Sequence, residues 1–140
     1  MIKLTKVQKK KDHIDLLYSL LKQRKISISH KSIPSKKNHQ EFVSNHPYRE
    51  WFLVFSEDEA IGSVYLSKDN SIGIFLKRND KKEVKYLIEL ILKEYKPLKP
   101  IKSVRGSYFH FNVNPDDKFL IKVLLDLRMK HIQSTFILYN

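Results

Sequence analysis

Few side chains of this 140-residue sequence could do chemistry. No cysteine is among them, which excludes thiolate nucleophiles, thiolate metal sites and disulfides. His110 and Asn112 alternate with Phe109, Phe111 and Val113, so they share one face of a strand. A histidine ordinarily titrates near pH ~6.5, which suits proton transfer at neutrality. His110 is therefore a candidate base, against the plainer reading of a surface or packed histidine. Tyr108 and Tyr139, also on alternating segments, are candidate proton donors and equally candidate packing residues. His30, His39 and His46 are spaced nine and seven residues apart with no carboxylate pair nearby, which is no zinc pattern, and no metal is expected. Lys77, Arg78, Lys81 and Lys82 crowd the start of a helix. Four cations there oppose the helix dipole. They read either as a solvated first turn or as an anion site. Nothing matches a P-loop, a dinucleotide fingerprint or a nucleophile elbow.

The elements that must position these groups follow from periodicity. Ile2–Val7 alternates as a short strand, and Ile14, Leu17, Tyr18 and Leu21 recur at helical spacing, predicting a helix over Asp12–Gln23 with Asp12 as cap. Arg24–Pro34 reads as a loop or a poor strand. Ser35 caps a short helix that ends near Asn45 before His46-Pro47. Three strands joined by tight turns, Glu50–Ser56, Ala60–Ser67 and Ser71–Lys77, form an antiparallel meander, with Gly62 a possible bulge. Asn79 or Asp80 caps a helix with the stripe Val84, Leu87, Ile88, Ile91 and Leu92, and Asp80 with Glu83 is a capping-box-like pair. Ser107–Val113 is a strand, Asn114-Pro115 opens a helix to about Leu127, and His131–Tyr139 is a closing strand. The order is β-α-α-β-β-β-α-β-α-β, an α+β (mixed α/β) class that uses residues 1–140 as a single domain.

Composition bounds the rest. At 41% hydrophobic and 30% charged residues the chain is an ordinary globular one. The longest apolar run, Trp51–Phe55, is far short of the ~20 residues that span a bilayer, and nothing near Met1 reads as a signal peptide. A cytoplasmic protein without a membrane partner is the expectation. The net charge of +12 suggests a polyanionic partner, yet only five of the 27 basic residues are Arg, while Ile is abundant and Ala60 stands alone. Base and phosphate readers favour the planar fork of Arg. The charge is therefore read as a compositional surface, and nucleic acid is not the expected partner.

Two segments carry a family resemblance. Asn112-Val-Asn-Pro-Asp-Asp-Lys-Phe-Leu-Ile-Lys-Val-Leu-Leu-Asp-Leu-Arg-Met129 resembles the strand-to-helix segment V-x-x-x-N-x-x-S-x-x-L-Y-x-x-x-G-F of the GNAT superfamily of acyl-CoA N-acyltransferases. Ile61-Gly-Ser-Val-Tyr-Leu66 and Ser71-Ile-Gly-Ile-Phe-Leu76 are similar to its hairpin before the cofactor loop. With the element order, the resemblance covers nearly the whole chain. It implies a central mixed twisted sheet of six to seven strands, and acetyl-CoA or another acyl-CoA as cofactor. The pantetheine arm would pair with Ile74, Phe75 and Leu76. The pyrophosphate would meet Lys77, Arg78, Lys81 and Lys82, and Asn114 and Asp117 fall on the cofactor side. Arg24 to Phe42 is similar to the substrate side of GNAT enzymes that acetylate amino sugars, which implies a small-molecule amine acceptor such as a nucleotide-linked amino sugar, met by Arg24, His30 and His39.

The sequence also departs from the family. The loop Lys77–Lys85 has no glycine, and Asp117, Leu120, Leu124 and Arg128-Met129 stand where the family has Asn, Ser, Tyr and Gly-Phe. An N-acyltransferase is the first reading. A GNAT-fold binding or interaction module without catalysis is the second, and a small basic nucleic-acid-binding domain the third. A homo-oligomer is compatible with all three. If the charge is compositional, duplex or single-stranded nucleic acid should bind weakly at physiological salt and nearly cease as salt rises, because non-specific binding follows counterion release. Filter binding across a salt series checks this. A salt-tolerant complex with a preferred sequence would overturn it.

Overall fold

The computed structural model describes residues 1–24 and 32–139. Its strands are β1 (Ile2–Lys6), β2 (Glu50–Ser56), β3 (Glu59–Leu66) and β4 (Ile72–Leu76). Its helices are α1 (Lys11–Gln23), α2 (Lys36–Ser44), α3 (Lys81–Glu94) and α4 (Lys118–Asp126). The strands form one antiparallel sheet in the order β1-β2-β3-β4. Strand alternation sends Phe52 and Val54 to one face and Trp51, Leu53 and Phe55 to the other. On the first face Val54, Val64 and Leu66 pack against Leu87 and Ile91 of α3, and all five are fully buried. Burying each such side chain contributes about 1.5–3 kcal/mol. On the second face Leu53 meets Ile14, Leu17 and Leu20 of α1 and Val43 of α2. Helix α4 extends the first layer through Val123 and Leu124, which pack on Val84 and Ile88 of α3. The result is a mixed α+β fold with helices on both faces of the sheet.

Local chemistry explains most boundaries. Ser35 accepts from the Asn38 N–H at 3.1 Å, the expected cap of α2. Asp12 does not cap α1. The cap position is Lys10, and the His13 ring accepts from the Gln8 N–H at 3.0 Å instead. Asp80 caps α3, but Glu83 turns to Arg78 rather than back to the cap, so the box is half-formed. Leu92 is exposed, because Val84, Leu87, Ile88 and Ile91 already complete the buried stripe. Helix α4 begins later than the sequence suggests. The Asn114 side chain accepts from the Asp116 N–H at 2.9 Å, which closes a turn, and Asp117 becomes the cap. The bulge falls between Val54 and Phe55, where register places Val54 opposite Gly62 and Phe55 opposite Ala60, so Ile61 is the extra residue.

The sheet has four antiparallel strands among the described residues, and this corrects the expected mixed sheet of six to seven. Segment 107–113 touches the sheet through one parallel bridge, Ser71 with His110. Its alternating apolar residues are satisfied by packing instead: Phe109 and Phe111 against the core of the first face, Val113 against α3 and α4. Periodicity reports which face is buried, not whether the backbone is paired. The expected closing strand 131–139 forms no ladder, and Phe136 and Leu138 are 90% and 94% exposed. No helix among the described residues is long and apolar enough to cross a membrane.

Asn70 fixes where segment 107–113 meets β4. It is fully buried, with φ of 70°, a left-handed turn conformation that Asn tolerates. Its side-chain amide donates to the carbonyls of Leu98 and Gly106, both at 3.0 Å, and its oxygen accepts from the Leu98 N–H at 2.7 Å. Its own carbonyl accepts from the His110 N–H at 3.1 Å. Asn70→Ala removes three side-chain bonds and strands buried partners, so urea unfolding should show a loss of roughly 3 kcal/mol or more. Asn70→Gly, which suits the turn but makes none of the three bonds, should fall below wild type as well. A loss under about 1 kcal/mol in both would mean that other contacts hold the crossing.

Candidate functional site

From the Ser71–His110 bridge, β4 and segment 111–113 part. The Ile72 N–H still donates to the His110 carbonyl at 2.8 Å. The Lys77 N–H points the other way, to the Ile61 carbonyl of β3 at 2.8 Å. Between them the N–H groups alternate sides. Those of Gly73 and Phe75 belong to the β3 ladder, and those of Ile74 and Leu76 face outward along the open edge. A cleft of about 340 Å³ opens at this edge. Ile72–Phe75 form one wall and Phe111–Val113 the opposite one, while Leu17 and Leu20 of α1, Arg24 just past its end, and Asn38 and His39 of α2 lie over the sheet.

Aromatic rings line much of the sheet side. Tyr48 stacks on Tyr65 with centroids 4.2 Å apart, and Trp51 meets Tyr48, Phe42 and His46 edge-on at 5.2, 5.7 and 5.1 Å. Gly73 makes room for this: a Cβ there would lie 2.1 Å from the Tyr65 ring, so the phenol crosses β4 only because the residue beneath it has no side chain. Burial, with the neighbouring Tyr65, pushes the Tyr48 phenol up to about 12. Burial also raises Tyr65. Both stay protonated at neutral pH and can donate hydrogen bonds. His39 is buried, with Nε2 3.1 Å from the Ile14 carbonyl oxygen. A carbonyl only accepts, so Nε2 carries the hydrogen and Nδ1 is the basic nitrogen. Burial is the main cause of its lowered pKa, with Lys36 acting the same way and the Ile14 bond opposing them.

Of the residues singled out from sequence, Arg24, His39, Ile74 and Phe75 come together at the cleft. Leu76 packs toward α3 and α4. His110 sits at the point of the V, bonded through its backbone, with its ring edge-on to Tyr108, and neither ring lines the cleft. Tyr139 is exposed in the segment without a ladder. His30 lies outside the described residues. Asn114 and Asp117 serve the turn and cap that start α4. The cation cluster is largely engaged: Lys77 with Glu59, Arg78 with Glu83, Lys81 with Asp126 at 3.1 Å. The α3 N–H groups of Lys82 and Glu83 donate to Asp80 at 2.9 and 3.2 Å, so a carboxylate of the chain itself occupies that helix start. Sequence reasoning missed Tyr48, Tyr65 and Gly73. The Gly73–Tyr65 register across the hairpin was the available signal.

The end of α4 bears on the resemblance. Arg128 takes φ of 66°, the Met129 N–H donates to the Leu124 carbonyl at 3.0 Å and the Arg128 N–H to Leu125 at 2.9 Å. This is the helix stop that glycine usually supplies. Met129 then packs with α3 and α4 in the place of the family's Phe.

His13, His39 and His46 are all lowered, with burial the leading cause in each. The unfolded chain takes up these protons near pH ~6.5 while the folded chain does not. Stability should therefore be full above that pH and fall from about 6.5 towards 5, before the carboxylates titrate. Urea unfolding at stepped pH checks this, and His39→Gln should flatten the slope. An unchanged midpoint from pH 7.5 to 5 would contradict it.

No family model matches the chain, and no curated protein does. Solved structures do. A possible acetyltransferase from Clostridium difficile 630 matches at TM-score 0.60 and 12% identity, over 100% of this chain and 97% of that one. AAC(6')-Iy, in complex with the bisubstrate analog CoA-S-monomethyl-acetylneamine, matches at 0.59 and 14%, over 100% and 97%. An aminoglycoside acetyltransferase from an uncultured soil metagenomic sample, in complex with sisomicin, matches at 0.55 and 10%, over 99% and 95%. The chain thus shares its fold, along nearly its whole length, with solved structures described as acetyltransferases.

Proposed function

We propose that this chain is an acyl-CoA-dependent N-acyltransferase acting on a small-molecule amine. The observation that supports it best is the open edge of β4, where the Ile74 backbone faces a cleft created by a single bridge. A peptide-like arm could pair there as an added strand. Acyl-CoA, when bound, would supply the acyl thioester, with Ile74 the residue to hold its arm. The phosphate end fits less well, since Asp80 already takes the α3 N–H groups. Lys82, which forms no ion pair among the described residues, and an opened Lys81–Asp126 pair would have to meet it.

The chain's own residues divide the proton work. His39, neutral at pH 7 with Nδ1 basic, accepts the proton that the ammonium must lose before its nitrogen attacks. The Tyr65 phenol lies across Gly73 and would be the chain's proton donor to a departing thiolate. It takes the place of the family's α4 tyrosine, which here is Leu124, buried against α3. The apolar walls exclude water from the thioester. An amino sugar, nucleotide-linked or not, is one acceptor the resemblance offers, and aminoglycosides are the acceptors named with some neighbours. A cytoplasmic location fits such substrates. The second reading, a binding module without catalysis, rests on the self-capped α3 and on Leu124.

Thermal unfolding with acetyl-CoA tests the first reading. A ligand at ~100 times its dissociation constant adds about 2.7 kcal/mol. Ile74→Pro deletes the outward N–H but spares the ladder to β3, so it should abolish the acetyl-CoA shift at a packing cost of ~1–3 kcal/mol. Thiol release with an amine panel then separates enzyme from module. No shift in wild type at millimolar acetyl-CoA would sink the acyltransferase reading.

A further inference from the structure

Arg24 is the only charged side chain among the described residues that line the cleft. No Asp or Glu among the described residues lines it, and the sequence from 25 to 31 contains none. Its guanidinium carbon lies 5.5 Å from the centroid of the Phe75 ring, and its buried Nε has no hydrogen-bond partner among the described residues. Arg24 forms no ion pair among them, whereas Lys77, Arg78 and Lys81 each have a carboxylate. A guanidinium half-withdrawn from water, stacked on an aromatic ring and given no counter-charge by the described residues, is an incomplete electrostatic arrangement. The phenols of Tyr48 and Tyr65 lie close enough to feel its charge, and both are hydrogen-bond donors.

We propose that the amine acceptor carries a carboxylate, and that Arg24 binds it. The assignment rests on the acyl-transfer reading and narrows it. The planar guanidinium fork matches two oxygens of one carboxylate, and the two phenols can donate to the same group. One positive charge balances one negative charge, which favours a carboxylate over a doubly charged phosphate in an apolar cleft. The ligand's body meets the rings of Phe42, Trp51 and Phe75, so it presents an apolar face to them. A polycationic amine finds no carboxylate here and is repelled by Arg24.

The experiment titrates N-acetylphenylalanine and its carboxamide, as product-like probes, into wild type, Arg24→Gln and Arg24→Lys. Acetyl-CoA is titrated separately into each, and unfolding curves confirm that the variants fold. The carboxylate should bind wild type at least about tenfold more tightly than the carboxamide, the scale of one charge-assisted pair. The difference should vanish in Arg24→Gln and survive in part in Arg24→Lys. N-acetylglucosamine 1-phosphate and spermidine complete the panel. Tighter binding of the sugar phosphate or of spermidine than of the carboxylate would overturn the assignment. Equal affinity for the phenylalanine pair, or binding of neither by a chain that still takes acetyl-CoA, would also overturn it and leave acyl transfer standing. Discrimination that depends on Arg24 in a chain indifferent to acetyl-CoA would uphold the carboxylate site and remove acyl transfer instead.

Discussion

A buried amide sets the geometry on which the cleft depends. Asn70 ties the Leu98 and Gly106 backbones to the end of β4, and its carbonyl holds the N–H of His110. The long connection after α3 is thereby brought to β4 at one point. Past that point no ladder forms among the described residues, and Phe109, Phe111 and Val113 anchor in the helical layer instead. The two backbones must then separate. The open edge of β4 follows from where the apolar side chains are held, and the polar fastening at Asn70 keeps the vertex in place.

The start of the helix that follows β4 is settled differently. Without a glycine in the loop, the backbone cannot easily approach a bulky anion. Asp80 caps the first N–H groups, and Glu83, Glu59 and Asp126 draw the nearby cations into pairs. Exposed pairs of this kind contribute little stability and exchange readily with other partners. The charge at this end is largely internally balanced, while the charge in the cleft, at Arg24, is not.

How much of this was legible in the sequence divides by physical cause. The meander was legible because tight turns and alternation are local, and Glu50–Ser56 is a strand over the residues expected. Helices with a strong stripe or a side-chain cap were legible for the same reason, as Val84–Ile91 and Ser35 show. Segments 107–113 and 131–139 alternate as strands do, but pairing depends on a partner edge that no local pattern encodes. At the cleft, Arg24 and His39 were reached through resemblance, whereas Tyr65 reads as one more strand aromatic until the register places it over Gly73. Asn70 reads as an ordinary turn residue, since its three side-chain partners lie 28 and 36 positions away.

Trp51 is the only tryptophan of the chain, and it lies in the cleft wall against Tyr48 and His46. The intrinsic emission of the protein is therefore a local signal rather than an average over the fold. Its colour follows the polarity of one wall, and its intensity follows contact with one imidazole, because a charged imidazole beside an indole drains the excited state. Displacement of water by anything entering the cleft is visible optically, with no label attached and no residue changed.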